Sequence, residues 1–187
     1  MRLENKVAVI TGGASGMGRA TAELFALQGC KVVIAGRRET LGTQIANNIK
    51  NNGADCIFIS TDVSVSQDVQ NLMQQTVDTF GKIDILFNNA GINIRKPPQD
   101  FSVEEWDSVI SVNLKSAFLM SQKVYPLMKQ INGGKIINVG SMYSVFGSDW
   151  SAAYSSSKAG LVQLSKSLAT SWAVSYTHLT LPTSDLV

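Results

Sequence analysis

The sequence predicts an α/β domain built on a doubly wound parallel sheet. Three observations carry this expectation. Short apolar runs alternate with segments of helical periodicity across residues 6–172. A glycine cluster, Gly12, Gly16 and Gly18, stands between the first run and the first helix. No repeat, low-complexity tract or linker divides the chain before Ala173, so residues 1–173 read as one domain. Strands that alternate with helices pair in parallel through right-handed crossovers, which places helices on both faces of the sheet.

Each element follows from a local signal. Val7, Ala8, Val9 and Ile10 form a continuous apolar run between Lys6 and Thr11, as in a strand buried on both faces. Residues 19–28 carry Ala22, Phe25 and Ala26 at helical spacing, and Gly29 ends the pattern. A strand at 31–35 and a helix at 40–52, closed by Gly53, come next. A third strand (54–60) and helix (66–80) lead to a fourth strand at 83–87, which runs into Asn88-Asn89-Ala90-Gly91. Residues 92–101 hold Pro97 and Pro98 and read as a loop. Ser102 and Glu105 have capping-box spacing and open one long helix at 103–130. A fifth strand (135–139), a loop (141–150) and a last helix (151–172) complete the pattern.

Composition narrows the function classes. Of 187 residues, 44% are hydrophobic and 16% charged, and the net charge is +2 with no basic run. Neither nucleic acid nor an anionic membrane is expected as a partner. No apolar run reaches membrane-spanning length and no leader precedes the first strand, so a soluble cytoplasmic protein is expected. Cys30 and Cys56 fit no redox or metal-ligand spacing and read as small core residues; no metal site is expected. From Ala173 onward the helical periodicity stops and Pro182 forbids a helix interior. Val174 to Thr183 resembles a translated frame of a transposon-end adapter used in sequencing libraries, so residues 174–187 are expected to be an artefactual tail. The only histidine, His178, falls inside it, which leaves no Ser-His or Cys-His pair for nucleophilic catalysis in the remainder.

Three stretches carry chemistry. Glycines between a first strand and a first helix let the backbone approach a pyrophosphate at the helix N-terminus. The end of the second strand, where an adenosine ribose is met, reads Gly36-Arg37-Arg38. With no acid there and a guanidinium at Arg37, NADP is favoured, with NAD the alternative; both arginines could instead begin a solvated helix. Tyr154 and Lys158 lie four residues apart on one helical face, where an ammonium lowers a phenol's pKa and makes it a proton donor and acceptor.

Taken together, Thr11-Gly12 with Gly16 and Gly18, Asp62-Val63, Asn88-Asn89-Ala90-Gly91, Asn113, Ser141, and Tyr154 with Lys158 resemble the classical short-chain dehydrogenases/reductases over residues 6–172. The resemblance implies a Rossmann fold and an NAD(P)-dependent exchange of hydride between nicotinamide and a secondary alcohol or ketone. It implies that Gly12, Ser15, Gly16, Met17 and Gly18 bind the cofactor with Arg37, that Asp62 and Val63 contact adenine, and that Asn89, Ala90 and Gly91 line the ribose and nicotinamide. Asn113 would bend the long helix and hold a water linked to Lys158. Ser141 would hydrogen-bond the substrate oxygen, and Tyr154 would exchange its proton. Lys158 would bind the nicotinamide ribose.

The loops at 92–98 and 141–150 further resemble those of sugar and sugar-acid dehydrogenases of the glucose and gluconate types. Arg95 or Lys96 could meet a substrate carboxylate, or both could be a solvated loop face. A 3-oxoacyl reductase and a non-catalytic dinucleotide-binding fragment are the alternatives. Apolar faces at Val109, Val112, Phe118, Leu119, Leu161, Leu164 and Leu168 suit a homo-tetramer or dimer of the parent protein, or a cover for the sheet. Family members continue into a sixth strand ending in Pro-Gly, a substrate lid and a seventh strand. Without them, the 187-residue chain is expected to expose a sheet edge, to aggregate and to be inactive.

Overall fold

A computed structural model describes residues 1–172. Five strands, β1 (Val7–Thr11), β2 (Lys31–Gly36), β3 (Cys56–Ser60), β4 (Ile85–Asn88) and β5 (Lys135–Asn138), form one parallel sheet in the order β3-β2-β1-β4-β5. Between them run helices α1 (Gly16–Leu27), α2 (Glu39–Asn51), α3 (Ser66–Phe80), α4 (Val103–Ile110) and α5 (Ser116–Gln130), and α6 (Ala152–Trp172) follows β5. This is the doubly wound Rossmann architecture expected from the alternation of elements.

Side-chain alternation along the strands divides the core into two layers. Ala8, Ile10, Val32 and Ile34 pack under Ala22 and Ala26 of α1 and Ile45 and Ile49 of α2. Val9, Val33, Leu86 and Ile136 pack under Leu72 of α3 and Met120 and Val124 of α5. Strands covered on both faces need apolar residues at every position, which is why β1 is buried throughout. The start of the β1–β4 pair is pinned by charge. Asp84 accepts from the Val7 N–H (2.9 Å) and meets Lys6 (3.2 Å) and Lys82 (3.0 Å). Burial alone would raise its pKa, but the bonds from Lys82, Val7 and Lys6 outweigh that and hold it below the ordinary carboxylate value.

The long helix expected at 103–130 is interrupted. After α4, residues Ser111–Lys115 form one π-helical turn before α5 begins. Asn113, buried at its centre, gives both ends of its amide to neighbouring segments, and the widened turn is what presents it there. Pro126 is accommodated inside α5, on an exposed turn. Two short 3-10 turns, Pro98–Asp100 and Met142–Ser144, lie within segments read as loops. The capping box forms as spaced: Ser102 Oγ accepts from Glu105 N–H (3.2 Å), and the Glu105 carboxylate accepts from Ser102 N–H (2.9 Å). Within the described residues β5 is an edge of the sheet. The tail read at Val174–Thr183, with His178, lies outside the described residues.

Candidate active site

The strand order reverses at β1, whose carboxyl end lies beside that of β4, and a crevice opens there. Thr11 straps the two strand ends. Its hydroxyl oxygen accepts from the N–H groups of Asn89 and Ala90 (3.0 Å each), and the Asn89 side chain donates to the Thr11 carbonyl (3.0 Å). Above this strap lies a cleft of about 320 Å³. It brings together eight of the expected cofactor residues: Gly12, Ser15, Arg37, Asp62, Val63, Asn89, Ala90 and Gly91.

The glycine loop is built for close backbone approach. Gly12 and Gly16 have φ of +65° and +52°, where a side chain is strained. Gly18 sits so tightly against the loop that a Cβ would collide with the Gly12 carbonyl and the Asn89 amide. Gly16, Met17 and Gly18 form the first turn of α1 rather than lining the cleft, and Met17 is 66% exposed. No described side chain caps α1, and no acidic residue stands in its first turn. Its leading N–H groups and partial positive charge therefore face the cleft mouth without a competing anion.

The rim of the cleft is cationic. Arg38 Nη2 donates to Ser15 Oγ (2.6 Å), spanning from the end of β2 to the glycine loop. Arg37 lies 3.9 Å from the Asp62 carboxylate. The Ser64 hydroxyl (2.6 Å) does most to hold Asp62 below its ordinary pKa; burial opposes it, and the Ser64 N–H (2.9 Å) and Arg37 add to the lowering.

Beyond Gly91 the crevice turns into a buried, side-chain-built region. Asn113, 2% exposed, accepts from the Ile92 N–H (2.8 Å) and donates to the Ile92 carbonyl (2.9 Å) and to Ser157 Oγ (3.0 Å). Ser157 in turn donates to the Tyr154 carbonyl (2.7 Å). One amide thus ties the segment after β4, the π-turn and α6 together. Lys158 is 3% exposed, donates to the Val139 carbonyl (2.6 Å), and lies 5.6 Å from the centre of the Tyr154 ring. Burial depresses its pKa below the ordinary lysine value. Ser141 accepts from the Tyr143 N–H (3.2 Å), and the Tyr143 ring meets the Tyr154 ring edge-on at 6.3 Å. That leaves the Ser141 hydroxyl hydrogen available to a ligand. Gly91 joins the two regions: a Cβ there would lie 3.3 Å from Asn113 Oδ1 and 3.8 Å from Lys158 Nζ.

Two loops border this region and are laced together. Lys96 N–H donates to the Trp150 carbonyl (3.0 Å), and Asn93 donates to Ser151 Oγ (3.3 Å). Of the two cations offered for a substrate carboxylate, Lys96 is already matched by both Glu105 oxygens (2.7 and 2.6 Å). Arg95 is exposed. Met142, Phe146 and Trp150 are 72%, 53% and 54% exposed. A larger hollow of about 660 Å³, lined by residues such as Leu27 and Asn52 near the ends of α1 and α2, carries none of the expected site residues.

Ser157 and the Val139 carbonyl were not singled out from sequence; Thr11 and Arg38 were quoted within motifs, but without the hydrogen-bonding roles seen here. A polar residue ending an apolar strand marked Thr11, and a serine between Tyr154 and Lys158 marked Ser157. The carbonyl has no sequence signal.

The sequence model of the short chain dehydrogenase family matches residues 6–177. An uncharacterized oxidoreductase of Thermotoga maritima is 41% identical over 169 residues, 90% of this chain and 66% of that protein. An NAD-dependent glycerol dehydrogenase of Listeria innocua is 36% identical over 91% of this chain and 66% of its own length. A D-threitol dehydrogenase of Mycolicibacterium smegmatis is 37% identical with the same coverage, 91% and 66%. The crystal structure of gox2181 superposes with a TM-score of 0.92 at 33% identity, covering 95% of this chain and 70% of that one. The chain thus spans about two thirds of the length of these curated relatives. With the strand order, the glycine loop and the Tyr154–Lys158 face in place, the chain belongs to the short-chain dehydrogenase family.

Proposed function

We propose that the full-length protein is an NAD(P)-dependent oxidoreductase that interconverts a secondary alcohol and a ketone, with a small polyol or a sugar as substrate. The observation that carries this reading is the buried Lys158 beside Tyr154, tied through α6 and Asn113 to the segment after β4 that lines the crevice. The residues fit such a cofactor: an uncapped helix N-terminus, two glycines at positive φ, and a third with no room for a side chain.

Gly12, Ser15, Gly16, Met17 and Gly18 would hold the pyrophosphate, Asp62 and Val63 the adenine, and Asn89, Ala90 and Gly91 the ribose and nicotinamide side. When bound, the nicotinamide supplies the site that gives or takes hydride. The chain's own work is to handle the proton. Charge develops on the substrate oxygen as the carbonyl becomes an alkoxide. Ser141 donates a hydrogen bond to that oxygen, and Tyr154 delivers or receives its proton. Lys158, 5.6 Å from the centre of the Tyr154 ring, would bind the nicotinamide ribose. Asn113 holds the π-turn against α6 and thereby keeps these groups in register.

We favour NADP, because Gly36 stands at the end of β2 in place of an acid while Arg37 and Arg38 follow it at the cleft. NAD remains the alternative: the Listeria relative is named NAD-dependent, and Asp62 lies near Arg37. The polyol reading draws on the glycerol and threitol dehydrogenases among the relatives. A 3-oxoacyl reductase is the second reading within the family, and a non-catalytic dinucleotide binder is the second reading outside it. The exposed Val103, Trp106 and Phe118 on α4 and α5 favour self-association as a dimer or tetramer, which light scattering would measure. The free thiols of Cys30 and Cys56, both buried and pushed up to about 12 by burial, fit a reducing compartment such as the cytoplasm.

The deciding experiment assays the full-length protein with NADP+ and NAD+ against glycerol, threitol and a sugar acid, and with NADPH and NADH against a 3-oxoacyl thioester, beside its Tyr154→Phe variant. The expected outcome is polyol oxidation that falls about 10²–10⁴-fold in the variant, with dinucleotide affinity retained. Dinucleotide binding without turnover on any substrate, unaffected by the substitution, would sink the catalytic reading.

A further inference from the structure

We infer that Asn138 and Ser165 are positioning residues for Lys158. The inference rests on the reading above, that Lys158 serves a bound dinucleotide. Asn88 and Asn138 are register partners at the carboxyl ends of β4 and β5. Both share strand parity with Leu86 and Ile136, so their side chains project to the face that also carries α5. Asn88 Nδ2 donates to Asn138 Oδ1 (2.8 Å), and Asn138 Nδ2 donates to Ser165 Oγ (2.7 Å). Ser165, 2% exposed, gives its one hydrogen to the Leu161 carbonyl (2.8 Å).

The direction of this relay is forced. With its hydrogen committed to Leu161, the Ser165 oxygen only accepts. Asn138 must therefore present its NH₂ to α6 and its oxygen to Asn88. A chain of hydrogen bonds in a low-dielectric interior is costly to leave half made, so it holds one arrangement.

That arrangement bears on the lysine because Asn138 immediately precedes Val139, whose N–H and carbonyl lie in successive peptide units. The Val139 N–H donates to the Asn88 carbonyl (3.0 Å), and the Val139 carbonyl receives Lys158 Nζ (2.6 Å). Lys158 and Ser165 are seven residues apart on α6, two turns along one face. The seam between β5 and α6 is thus fastened twice, by Lys158 to Val139 and by Ser165 to Asn138. The second fastening, one residue before Val139, anchors the backbone from which the carbonyl that holds the ammonium projects. Without it the packing of Leu161 still seats α6, but the carbonyl that fixes the ammonium is free to rotate.

The test is a double-mutant cycle on the full-length protein, with NADPH and NADH binding titrated by fluorescence. Ser165→Ala is expected to weaken binding about fivefold, in the range of coupled neighbouring side chains. Lys158→Met weakens it as well, and the double variant matches Lys158→Met alone because the serine acts through the lysine. Ser165→Thr, which keeps the hydroxyl, binds like the wild type. An unchanged affinity in Ser165→Ala, or additive losses in the double variant, overturns the positioning role and leaves the dinucleotide reading standing. A Lys158→Met variant with wild-type affinity overturns it too. A wild-type protein that binds neither dinucleotide removes both readings. If Ser165→Ala does not fold, Ser165→Cys, nearly isosteric with a weakly bonding sulfur, repeats the cycle.

Discussion

The two ends of the crevice are made of different material. The end at the glycine loop is backbone and rim: helix N–H groups, glycines at positive φ, and arginines whose side chains stand mostly in solvent, as Arg37 does at 67% exposure. The end at α6 is side chain and interior: Asn113, Ser157 and Lys158 are 2%, 0% and 3% exposed and spend their polar atoms on one another or on backbone. The difference teaches where affinity and precision come from. A rim can bind a charged ligand by offering donors that water would otherwise satisfy. A proton-transfer site has to hold its groups in place before the ligand arrives, and buried hydrogen bonds do that.

Substitutions at the two ends should therefore separate binding from stability. The hardest test is Gly18→Ala, because Gly18 is the one rim glycine buried against both the loop and Asn89. It is expected to weaken NADPH binding about a hundredfold while costing about 1–3 kcal/mol of stability from overpacking, read by fluorescence titration and urea melts. If it binds normally, the loop is not held by that contact. Next in size, Asn113→Ala strands the Ile92 N–H and carbonyl and takes the donor from Ser157 Oγ, which keeps its own bond to the Tyr154 carbonyl. A loss of about 2–4 kcal/mol is expected from such buried orphaned groups, with turnover falling further than stability explains. A variant as stable as the wild type would show that the interior end is not cross-linked through that amide.

Arg38→Ala should do the reverse of Asn113→Ala. Its guanidinium reaches Ser15 from the surface, so the melting temperature should hold while NADPH affinity drops about tenfold and NADH affinity hardly moves. Equal losses for the two dinucleotides would argue against a 2′-phosphate contact. The smallest effect is a slope. Burial lowers the Lys158 pKa below 10.5, so between its folded value and 10.5 the unfolded chain carries more protons than the folded one. Stability should then gain with pH across that alkaline interval, the cost of a buried charge being relieved as the lysine deprotonates. Urea midpoints compared for wild type and Lys158→Met should show the gain only in the wild type.

The same contrast explains what the sequence disclosed. The rim was legible because glycines at fixed offsets and Gly36-Arg37-Arg38 are local signals, and eight of the expected residues do line one cleft. Periodicity placed all five strands and marked the Ser102–Glu105 capping box. It missed the break at Ser111–Lys115, because a π-turn keeps helical composition; only the family resemblance pointed to a bend at Asn113, whose side chain meets Ile92 far away in sequence. Lys96 was offered to a substrate for the same kind of reason: its partner Glu105 lies across a loop and a helix cap. The Val139 carbonyl that receives Lys158 was invisible, since every residue has one. Sequence reads what repeats or what is chemically rare; it does not read which ordinary group a distant side chain finds.

The pairing of β1 with β4 also sets an order of events. β1 finds β2, and β2 finds β3, across a single intervening helix, but Val7 must wait for Asp84, 77 residues away, before the crevice has a second wall. Closing a loop of that length costs entropy that only the finished contacts repay, so the crevice is among the last features to form as the chain folds. A ligand that needs both walls binds only the molecule that has completed this step. If that ligand is the dinucleotide proposed above, it draws late intermediates forward by mass action and should lengthen the protein's lifetime as its concentration rises.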